Sequence, residues 1–356
     1  MKPIVALTNF EIVMPSIIMT QSDSLEHMVK IHSQVLVAEG KNSDTIATLV
    51  RRYGVKATQI AQRSFENINI AAEGKDIFER TQFFGLKGRE IMSQFYPAQS
   101  SPPDHLIHVT CTGYISPSPA QHLVNDNGWT EKTNVTHAYH MGCYAALPAI
   151  RMAEGFVAAA HHRVDIVHTE MCGLHMDTHD HSPEQLVVQS LFADGHIKYS
   201  VVPPESAKVG FRVLRIREQI VQDSQGDMSW TPASFGMKMT LSRDVPEKIG
   251  ASLRSFVQKL VQDGDYKLEE VLKNAVFAVH PGGPKIIDAV QEILELSSEQ
   301  VRTSREILLL RGNMSSATLP HVWQKLLEQK IAPQKLVVSL AFGPGLTIFG
   351  ALFETI

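Results

Sequence analysis

Short apolar runs rich in β-branched residues alternate with helical patterns along much of this chain, and this alternation limits the fold more than any other feature. Residues 106–110, 134–141 and 164–168 are three such runs, and each is typical of a strand. Residues 144–160 are apolar on nearly every side, which predicts a buried helix between the last two strands. Strands that alternate with helices favour an α/β fold with buried sheets.

A second series with a similar order of elements begins beyond the middle of the chain. Residues 211–216 and 237–241 predict strands, and residues 247–261 predict an amphipathic helix. The sequence therefore predicts two similar halves, residues 1–203 and 204–356, although no residue-level repeat relates them. The other predicted elements are helices at 24–38, 43–53, 75–95, 284–296 and 316–329, and strands at 275–279, 306–310, 335–341 and 346–353.

Composition excludes several classes of protein. The 356 residues carry a formal net charge of −4, so there is no basic excess to bind nucleic acid. No apolar run approaches the roughly 20 residues that a membrane span needs, and residues 1–20, interrupted by Glu11, do not predict a secretory signal. Three cysteines are too few for a disulfide framework in a chain of this length. We therefore expect a soluble, cytoplasmic protein.

Cys143 is the first candidate for chemistry. It lies where a predicted strand ends and the apolar helix begins, so free backbone N–H groups and the helix dipole would lower the pKa of its thiol. Gly142 leaves room for a substrate to approach the sulfur. The alternative is a buried structural cysteine, which is the commoner role of a free cysteine.

His280 and Asn313 occupy two turns that each follow a predicted strand. Such turns lie at the carboxyl edge of a sheet, where α/β active sites gather. Each residue alone is more often structural, but with Cys143 they form the set that acyl transfer needs. The thiolate takes the acyl group, and the imidazole and carboxamide N–H groups stabilise an oxyanion or enolate.

A histidine-rich segment offers a rival interpretation. Six histidines lie within residues 161–181, with Asp177 and Asp180 among them, and such side chains are ligands for zinc or iron. No second cluster with comparable spacing occurs in the sequence, so we expect no bound metal. The six are His161, His162, His168, His175, His179 and His181.

Several longer motifs together resemble the type III polyketide synthases, the chalcone and stilbene synthase-like branch of the thiolase superfamily. The resemblance covers the chain from about Thr45 onward and is of the bacterial type, and the motifs occur in the family's order. They are HMGCYAALPAIR at 140–151, QSLFADG at 189–195, DVP at 244–246, AVHPGGPKIID at 278–288, RGNMSSAT at 311–318 and AFGPGL at 341–346.

The resemblance implies a five-layered αβαβα thiolase-like fold built from two related halves. It implies a homodimer in which Cys143, His280 and Asn313 meet at the base of a tunnel for the arm of a thioester. Cys143 would hold a starter acyl group, and His280 would favour its thiolate. His280 and Asn313 would then stabilise the enolate of a malonyl-type extender. Thioesters of coenzyme A or of an acyl carrier protein would be substrates, with no tightly bound cofactor.

The resemblance also implies a substrate pocket. Phe211 aligns with one of two phenylalanines that shield the family's site from water, and Met239 stands where the second is expected. Cys111 replaces a plant Thr, and Ser116 replaces a plant Met that reaches into the partner's cavity. These departures favour an alkylpyrone or alkylresorcinol product over a chalcone. The remaining candidates are Cys172, His175, Gly343, Pro344 and Gly345 for the pocket, and Arg52, Lys56 and Arg63 for the phosphates of coenzyme A.

Other functions remain open on the sequence. A ketoacyl carrier protein synthase III would extend the acyl group once, and a stand-alone ketosynthase would fuse two β-ketoacyl chains into an α-pyrone. A cysteine hydrolase also uses Cys, His and Asn. A metal-binding protein without catalytic activity is the last alternative.

Overall fold

The computed structural model describes residues 5–356; residues 1–4, which begin the predicted N-terminal half, lie outside the described part. The strands are β1 (Ala6–Val13), β2 (Ile17–Thr20), β3 (Gln62–Phe65), β4 (His105–Thr110), β5 (Asn134–Tyr139), β6 (Val164–Met171), β7 (Asp194–Val202), β8 (Phe211–Ile220), β9 (Met228–Pro232), β10 (Met237–Leu241), β11 (Val276–Val279), β12 (Leu336–Gly343) and β13 (Thr347–Thr355).

The helices lie between these strands along the chain. They are α1 (Gln21–Ala38), α2 (Ile46–Tyr53), α3 (Ile77–Phe95), α4 (Pro119–Asp126), α5 (Ala146–Ala158), α6 (Pro183–Leu191), α7 (Val245–Gln262), α8 (Leu268–Asn274), α9 (Pro284–Ile293), α10 (Arg302–Arg311) and α11 (Thr318–Glu328). None of these helices is both long and apolar enough to cross a bilayer.

Nine strands form one mixed sheet in the order β11-β12-β13-β8-β1-β7-β6-β4-β5. β4 lies parallel to β5 and β6, and β11 lies parallel to β12. β1 joins the two halves, because it pairs with β7 on one side and with β8 on the other. Pro203 and Pro204 lie in the connection between β7 and β8. The division into residues 1–203 and 204–356 stays a prediction, since both parts share this sheet.

Helices cover the sheet in separate layers. α5 contacts β4, β6 and β7 as well as β13, and α11 contacts β11 and β7, so these two helices lie between the strands of the two halves. α3 packs on β1 and β6, and α7 packs on β8 and β13. This arrangement confirms the predicted five-layered αβαβα fold.

The central layer explains the apolar pattern of residues 144–160. Seven side chains of α5 are buried, and all eight residues of β6 beneath it are buried as well. A helix that is covered on most sides is apolar nearly all round, which is the pattern of residues 144–160. The predicted strands at 106–110, 134–141 and 164–168 and the predicted helix between them are therefore confirmed, within a few residues at their ends.

Two sequence predictions are wrong. Residues 306–310 are not a strand but the end of α10, in which Ile307 and Leu308 are buried while Arg305 binds Asp288 at 2.7 Å from the opposite side. A short apolar run does not distinguish a strand from a buried helix face. The apolar spacing of the first hundred residues predicts mostly helices, but this region also contains the strands β1, β2 and β3.

Candidate active site

A strained turn carries Cys143 between β5 and α5. His140 and Gly142 have positive φ angles of 62° and 81°, a region that favours glycine. A Cβ atom on Gly142 would lie 2.5 Å from Cδ of Pro344. Position 142 therefore requires glycine for two reasons. One is its backbone angle, and the other is its close approach to the turn at residues 342–345. Cys143 follows directly and is 8% exposed.

All three cysteines of the chain line the same cavity. Gly142 donates its backbone N–H to Sγ of Cys111 at 3.0 Å, which brings the side chain of Cys111 beside the nucleophile turn. The cavity wall is mostly apolar. Its lining residues are Cys111, Thr112, Gly142, Cys143, Cys172, Phe192, Met228, Trp230, Met239, Ser315 and Pro344.

The thiol of Cys143 has a high pKa, not the low one that the sequence predicts. Burial raises its pKa to about 12, and the nearby carboxylate of Glu170 adds to the rise. Hydrogen bonds from Ser315 and Asn313 lower the pKa but do not offset the burial. Loss of hydration thus outweighs the effect of the helix start. The thiol therefore stays neutral until a base takes its proton.

Asn313 reaches the cavity from the far end of α10. Gly312, with a φ of 70°, ends the helix, and the backbone of Asn313 bonds to Leu191 and Ala193 at 3.0 and 2.8 Å. The Oδ1 atom of Asn313 accepts a hydrogen bond from the backbone N–H of Ser315 at 2.9 Å. This bond orients the amide, so that its N–H groups face Gly282 and Cys143.

His280 lies at the end of β11, where its backbone N–H donates to the carbonyl of Leu340 at 2.7 Å. Its side chain is buried, and neither ring nitrogen has a hydrogen-bond partner within residues 5–356. Burial lowers its pKa to about 3, so the imidazole is neutral.

Gly282 links His280 to Asn313. A Cβ atom on Gly282 would lie 3.5 Å from Cδ2 of His280, and the carbonyl of Gly282 accepts a hydrogen bond from Nδ2 of Asn313 at 3.3 Å. The structure thus brings Asn313 close to both Cys143 and the His280 turn. Because both ring nitrogens of His280 are unpartnered among the described residues, its direct contact with Cys143 stays a prediction.

Glu170 is a site residue that the sequence reasoning missed. It ends the buried strand β6 and is fully buried. Its carboxylate accepts hydrogen bonds from the backbone N–H of Cys111 at 3.0 Å, from Oγ1 of Thr112 at 2.8 Å, and from the side chain of Ser316. It therefore joins the Cys111 segment to the segment that carries Asn313. The sequence around it gave no distinct signal, because β6 also contains Asp165, His168 and Thr169.

Replacing Glu170 with alanine should destabilise the protein strongly. Several buried donors would lose their acceptor, and each unsatisfied group costs about 1–3 kcal/mol. We expect the free energy of unfolding, measured by urea denaturation, to fall by about 3 kcal/mol or more. Glu73→Ala, at an exposed turn residue, is the control and should change stability little. A Glu170→Ala protein as stable as the wild type would contradict this structural role.

Phe211 is not a pocket residue, and its predicted role is wrong. It is fully buried at the start of β8, where its ring packs against Phe10 and Phe353 in the central core. Phe192 lines the Cys143 cavity instead. Phe192 lies within the QSLFADG motif at 189–195, so the error arose from choosing the wrong phenylalanine.

Several other predicted pocket residues do line cavities. Met239, Cys111, Cys172 and Pro344 surround the Cys143 cavity. His175 lines a second cavity that adjoins the first. Gly343 and Gly345 flank Pro344 without lining either cavity, and Gly343 packs so closely on the ring of Tyr144 that a Cβ would lie 2.2 Å from it.

The remaining predicted polar residues of the substrate site line neither of the two cavities. Ser116 is exposed and lines neither of the two cavities. Arg52 and Lys56 are exposed near the end of α2, where contact with a phosphate stays a prediction. Arg63 cannot serve that role, because it is 1% exposed. Its guanidinium donates to Gln21, Ser24 and the backbone carbonyls of Gln189 and Phe192.

The histidine-rich segment is dispersed over separate protein contacts. His168 bonds to Ser316 at 3.0 Å, and His175 bonds to the carbonyl of Thr112 at 2.8 Å. His179 pairs with Glu39, and His181 contacts His32. Within residues 5–356, no three potential ligands from His, Cys, Asp or Glu converge on a point that could hold a metal ion.

Comparisons with known proteins agree with this fold. Residues 213–356 match the family described as chalcone and stilbene synthases, C-terminal domain. A putative chalcone synthase of Bacillus subtilis is 30% identical over 257 residues, which make up 69% of this chain and 69% of that protein. The alpha-pyrone synthesis polyketide synthase-like Pks18 of Mycobacterium tuberculosis is 28% identical over 258 residues, or 70% of this chain and 65% of that protein.

Two further matches come from Dictyostelium. Probable polyketide synthase 1 of Dictyostelium discoideum is 28% identical over 257 residues, which cover 71% of this chain but only 8% of that protein. The crystal structure of the C-terminal type III polyketide synthase domain of Steely1 superimposes with a TM-score of 0.85 at 21% identity, over 99% of each chain. The fold is thus thiolase-like, as the sequence predicts. The chain belongs to the chalcone and stilbene synthase family, the type III polyketide synthases.

Proposed function

We propose that this protein joins an acyl group held on Cys143 to a malonyl-type thioester by decarboxylative Claisen condensation. The strongest support is the mostly apolar cavity into which Cys143 opens, with the side chains of Asn313 and Ser315 close to its sulfur. An apolar cavity limits hydrolysis of a thioester and strengthens interactions with a developing charge.

In the first half-reaction, Sγ of Cys143 attacks the carbonyl carbon of an acyl thioester. His280 takes the thiol proton on a ring nitrogen, since neither ring nitrogen has a hydrogen-bond partner among residues 5–356. The bond between the acyl carbon and the carrier sulfur breaks, and the carrier thiolate leaves. His280 returns the proton to that thiolate, so charge and protons balance.

In the second half-reaction, the malonyl group loses carbon dioxide, and the electron pair of the broken carbon–carbon bond forms an enolate. The enolate carbon attacks the acyl carbon on Cys143, and the thiolate is released. Asn313 donates an N–H from Nδ2 to the enolate oxygen, because an amide supplies donors without charge.

We propose an alkylpyrone or alkylresorcinol-type product. Met228, Met237 and Met239 line the two cavities, and methionine adapts to flexible alkyl chains. The mycobacterial relative is named for alpha-pyrone synthesis, which is consistent with this product class.

We also propose that the protein is a cytoplasmic homodimer. β5 is an edge strand, and an unpaired edge can pair with a second copy of the chain. Tyr114, which packs against Tyr139 at the end of β5, is 50% exposed. Ser116 belongs to the same loop and would face the partner. Sedimentation equilibrium tests this assembly, and a purely monomeric protein would contradict it.

Product analysis with a panel of acyl thioesters, with and without a malonyl thioester, tests the proposed activity. The proposed activity is supported if coenzyme A thioesters alone give products that contain both the acyl group and malonyl-derived carbons. A strict need for an acyl carrier protein and a single extension would favour the ketoacyl synthase alternative. A lactone formed from two β-ketoacyl thioesters without malonyl thioester would favour the fusing ketosynthase, and free acid alone would favour a hydrolase.

Replacing Met239 with phenylalanine should shorten the preferred starter or the product. Met239 is 7% exposed and lines both cavities, so a rigid ring there would narrow them. One methylene in an apolar pocket contributes about 1–3 kcal/mol of binding free energy. We therefore expect kcat/KM for the longest accepted starter to fall about tenfold. Mass spectrometry of the products and starter kinetics measure the change. An unchanged starter preference and product profile would show that Met239 does not limit the size of the substrate cavity.

A further inference from the structure

The carboxyl end of α6 lies beside Asn313. The last four carbonyl groups of a helix lack the partners that the rest of the helix supplies, and in α6 each of them accepts a hydrogen bond from a residue outside Pro183–Leu191. The acceptor carbonyls and their donors are Val188 with the backbone N–H of Phe192 at 3.2 Å, Gln189 with Nη1 of Arg63 at 2.8 Å, Ser190 with Nε2 of Gln21 at 2.9 Å, and Leu191 with the backbone N–H of Asn313 at 3.0 Å. The end of this helix therefore joins several distant parts of the chain.

The backbone of Asn313 is held by the residues at this helix end. Phe192 and Asn313 form an isolated parallel β-bridge. The backbone N–H of Asn313 donates to the carbonyl of Leu191 at 3.0 Å, and the carbonyl of Asn313 accepts from the backbone N–H of Ala193 at 2.8 Å. A displacement of residues 191–193 would therefore displace Asn313 and, with it, the side-chain amide.

The side chain of Arg63 binds this helix end and α1 together. Its Nη1 atom donates to the carbonyl of Gln189 at 2.8 Å and to that of Phe192 at 2.6 Å. Its Nε atom donates to the side chain of Gln21 at 2.8 Å, and its Nη2 atom donates to the hydroxyl of Ser24. Because the guanidinium is a rigid, planar fork, these bonds orient the end of α6 relative to α1.

The aliphatic part of Arg63 also packs on the residue that precedes Asn313. A Cβ atom on Gly312 would lie 3.0 Å from Cγ of Arg63. Gly312 follows α10 directly and turns the chain into Asn313. Arg63 therefore contacts both of the segments that meet in the β-bridge between Phe192 and Asn313.

Arg63 keeps its positive charge although it is deeply buried. It is 1% exposed, and its hydrogen-bond acceptors are all neutral groups. Burial lowers the pKa of Arg63 to about 9, so the guanidinium is still protonated at pH 7. A buried charge costs free energy, and the negative end of the α6 dipole offsets part of this cost. An apolar side chain would fill the same space, but it would not form directional bonds to the helix end.

We propose that Arg63 is a positioning residue that holds the amide of Asn313 where it binds the enolate oxygen. The inference rests on the proposed function, in which Asn313 donates to that oxygen. Arg63 acts through the carbonyls of Gln189 and Phe192, because the same segment bonds to the backbone of Asn313. A misplacement of about 1 Å in an active site lowers the rate by about 10²-fold. Condensation therefore depends on Arg63, and acylation depends on it much less.

Three variants and one control test this proposal. Arg63→Lys keeps the charge but loses the planar fork, and Ser24→Ala keeps the arginine but removes one of its acceptors. Arg63→Lys combined with Asn313→Ala tests whether the two residues act as a unit. Arg80→Lys is the matched control, because Arg80 is also buried and its guanidinium donates to backbone carbonyls of the segment after β6. Circular dichroism and thermal melting check that each protein is folded.

The measured quantity is the ratio of the condensation rate to the acylation rate in single-turnover assays. We expect Arg63→Lys to lower this ratio by about tenfold, because a modest shift of the amide weakens its bond to the enolate. Ser24→Ala should lower the ratio by a smaller factor. Arg80→Lys should reduce thermal stability as Arg63→Lys does, but it should not lower the ratio. Since residues that act as a unit are not additive, Arg63→Lys should slow condensation no further in the Asn313→Ala protein.

Three results would overturn the positioning role. They are equal slowing of both half-reactions by Arg63→Lys, an equal fall of the ratio in Arg80→Lys, and a further loss of condensation when Arg63→Lys is added to Asn313→Ala. If Arg63→Lys does not fold, Ser24→Ala decides the outcome, and a wild-type ratio in that variant would overturn the proposal. Failure of the proposed function is a different result, because the wild-type protein itself would then form no product from acyl and malonyl thioesters.

Discussion

Replacing Cys143 with alanine should abolish the acyl-enzyme and all condensation while leaving the fold intact. The side chain is small and 8% exposed at the edge of the cavity, so its loss creates little empty space. Its sulfur is the proposed attachment point of the acyl group, so the proposed acyl-enzyme does not form without it. We expect product formation to fall by about 10⁴-fold or more, in line with loss of a covalent catalyst.

Intact-protein mass spectrometry after incubation with an acyl thioester measures formation of the acyl-enzyme directly. The wild-type protein should gain the mass of one acyl group, and Cys143→Ala should gain none. Cys172→Ser is the matched control, because Cys172 is a thiol in the same cavity; it should still be acylated. An acyl adduct retained on Cys143→Ala, located by peptide mapping on Cys111 or Cys172, would assign the nucleophile to another cysteine.

Replacing Asn313 with alanine should slow condensation far more than acylation. The amide is proposed to donate to the enolate oxygen, an interaction that exists only in the second half-reaction. Loss of one such donor costs about 10²–10³-fold in rate. Single-turnover assays separate the two steps: the acylation rate comes from mass spectrometry, and the condensation rate from decarboxylation of malonyl thioester by a preformed acyl-enzyme.

Asn313→Asp is the informative companion variant. It keeps the size of the side chain and the acceptor for the N–H of Ser315, but its negative charge would repel an enolate. We expect it to be at least as slow in condensation as Asn313→Ala, and thermal melting checks that both variants are folded. Equal losses in acylation and condensation for both variants would contradict the enolate role and indicate a general structural role.

The sequence predicted those parts of the site that depend on chain geometry near a turn. Cys143 follows a strand and precedes a buried helix, and His280 follows β11, as the patterns indicate. Asn313 lies in a turn as predicted, but after α10 and not after a strand. Its position depends on backbone bonds to Leu191 and Ala193, which are distant in sequence and carry no local signal.

The remaining errors have similar physical causes. The pKa of Cys143 depends on how completely the folded protein buries the thiol, and a motif does not report burial. Phe211 and Phe192 are both aromatic residues near strands, but β8 turns Phe211 into the core. The role of Glu170 arises from contacts across the fold, with a partner 59 residues away.

The most direct test of the central claim uses ¹³C-labelled malonyl thioester with the acylated wild-type protein. We expect release of one carbon dioxide for each extension. We also expect a product in which labelled carbons are bonded to the starter acyl carbon. Release of the starter as free acid, with no label in any carbon–carbon bonded product, would contradict the proposed condensation.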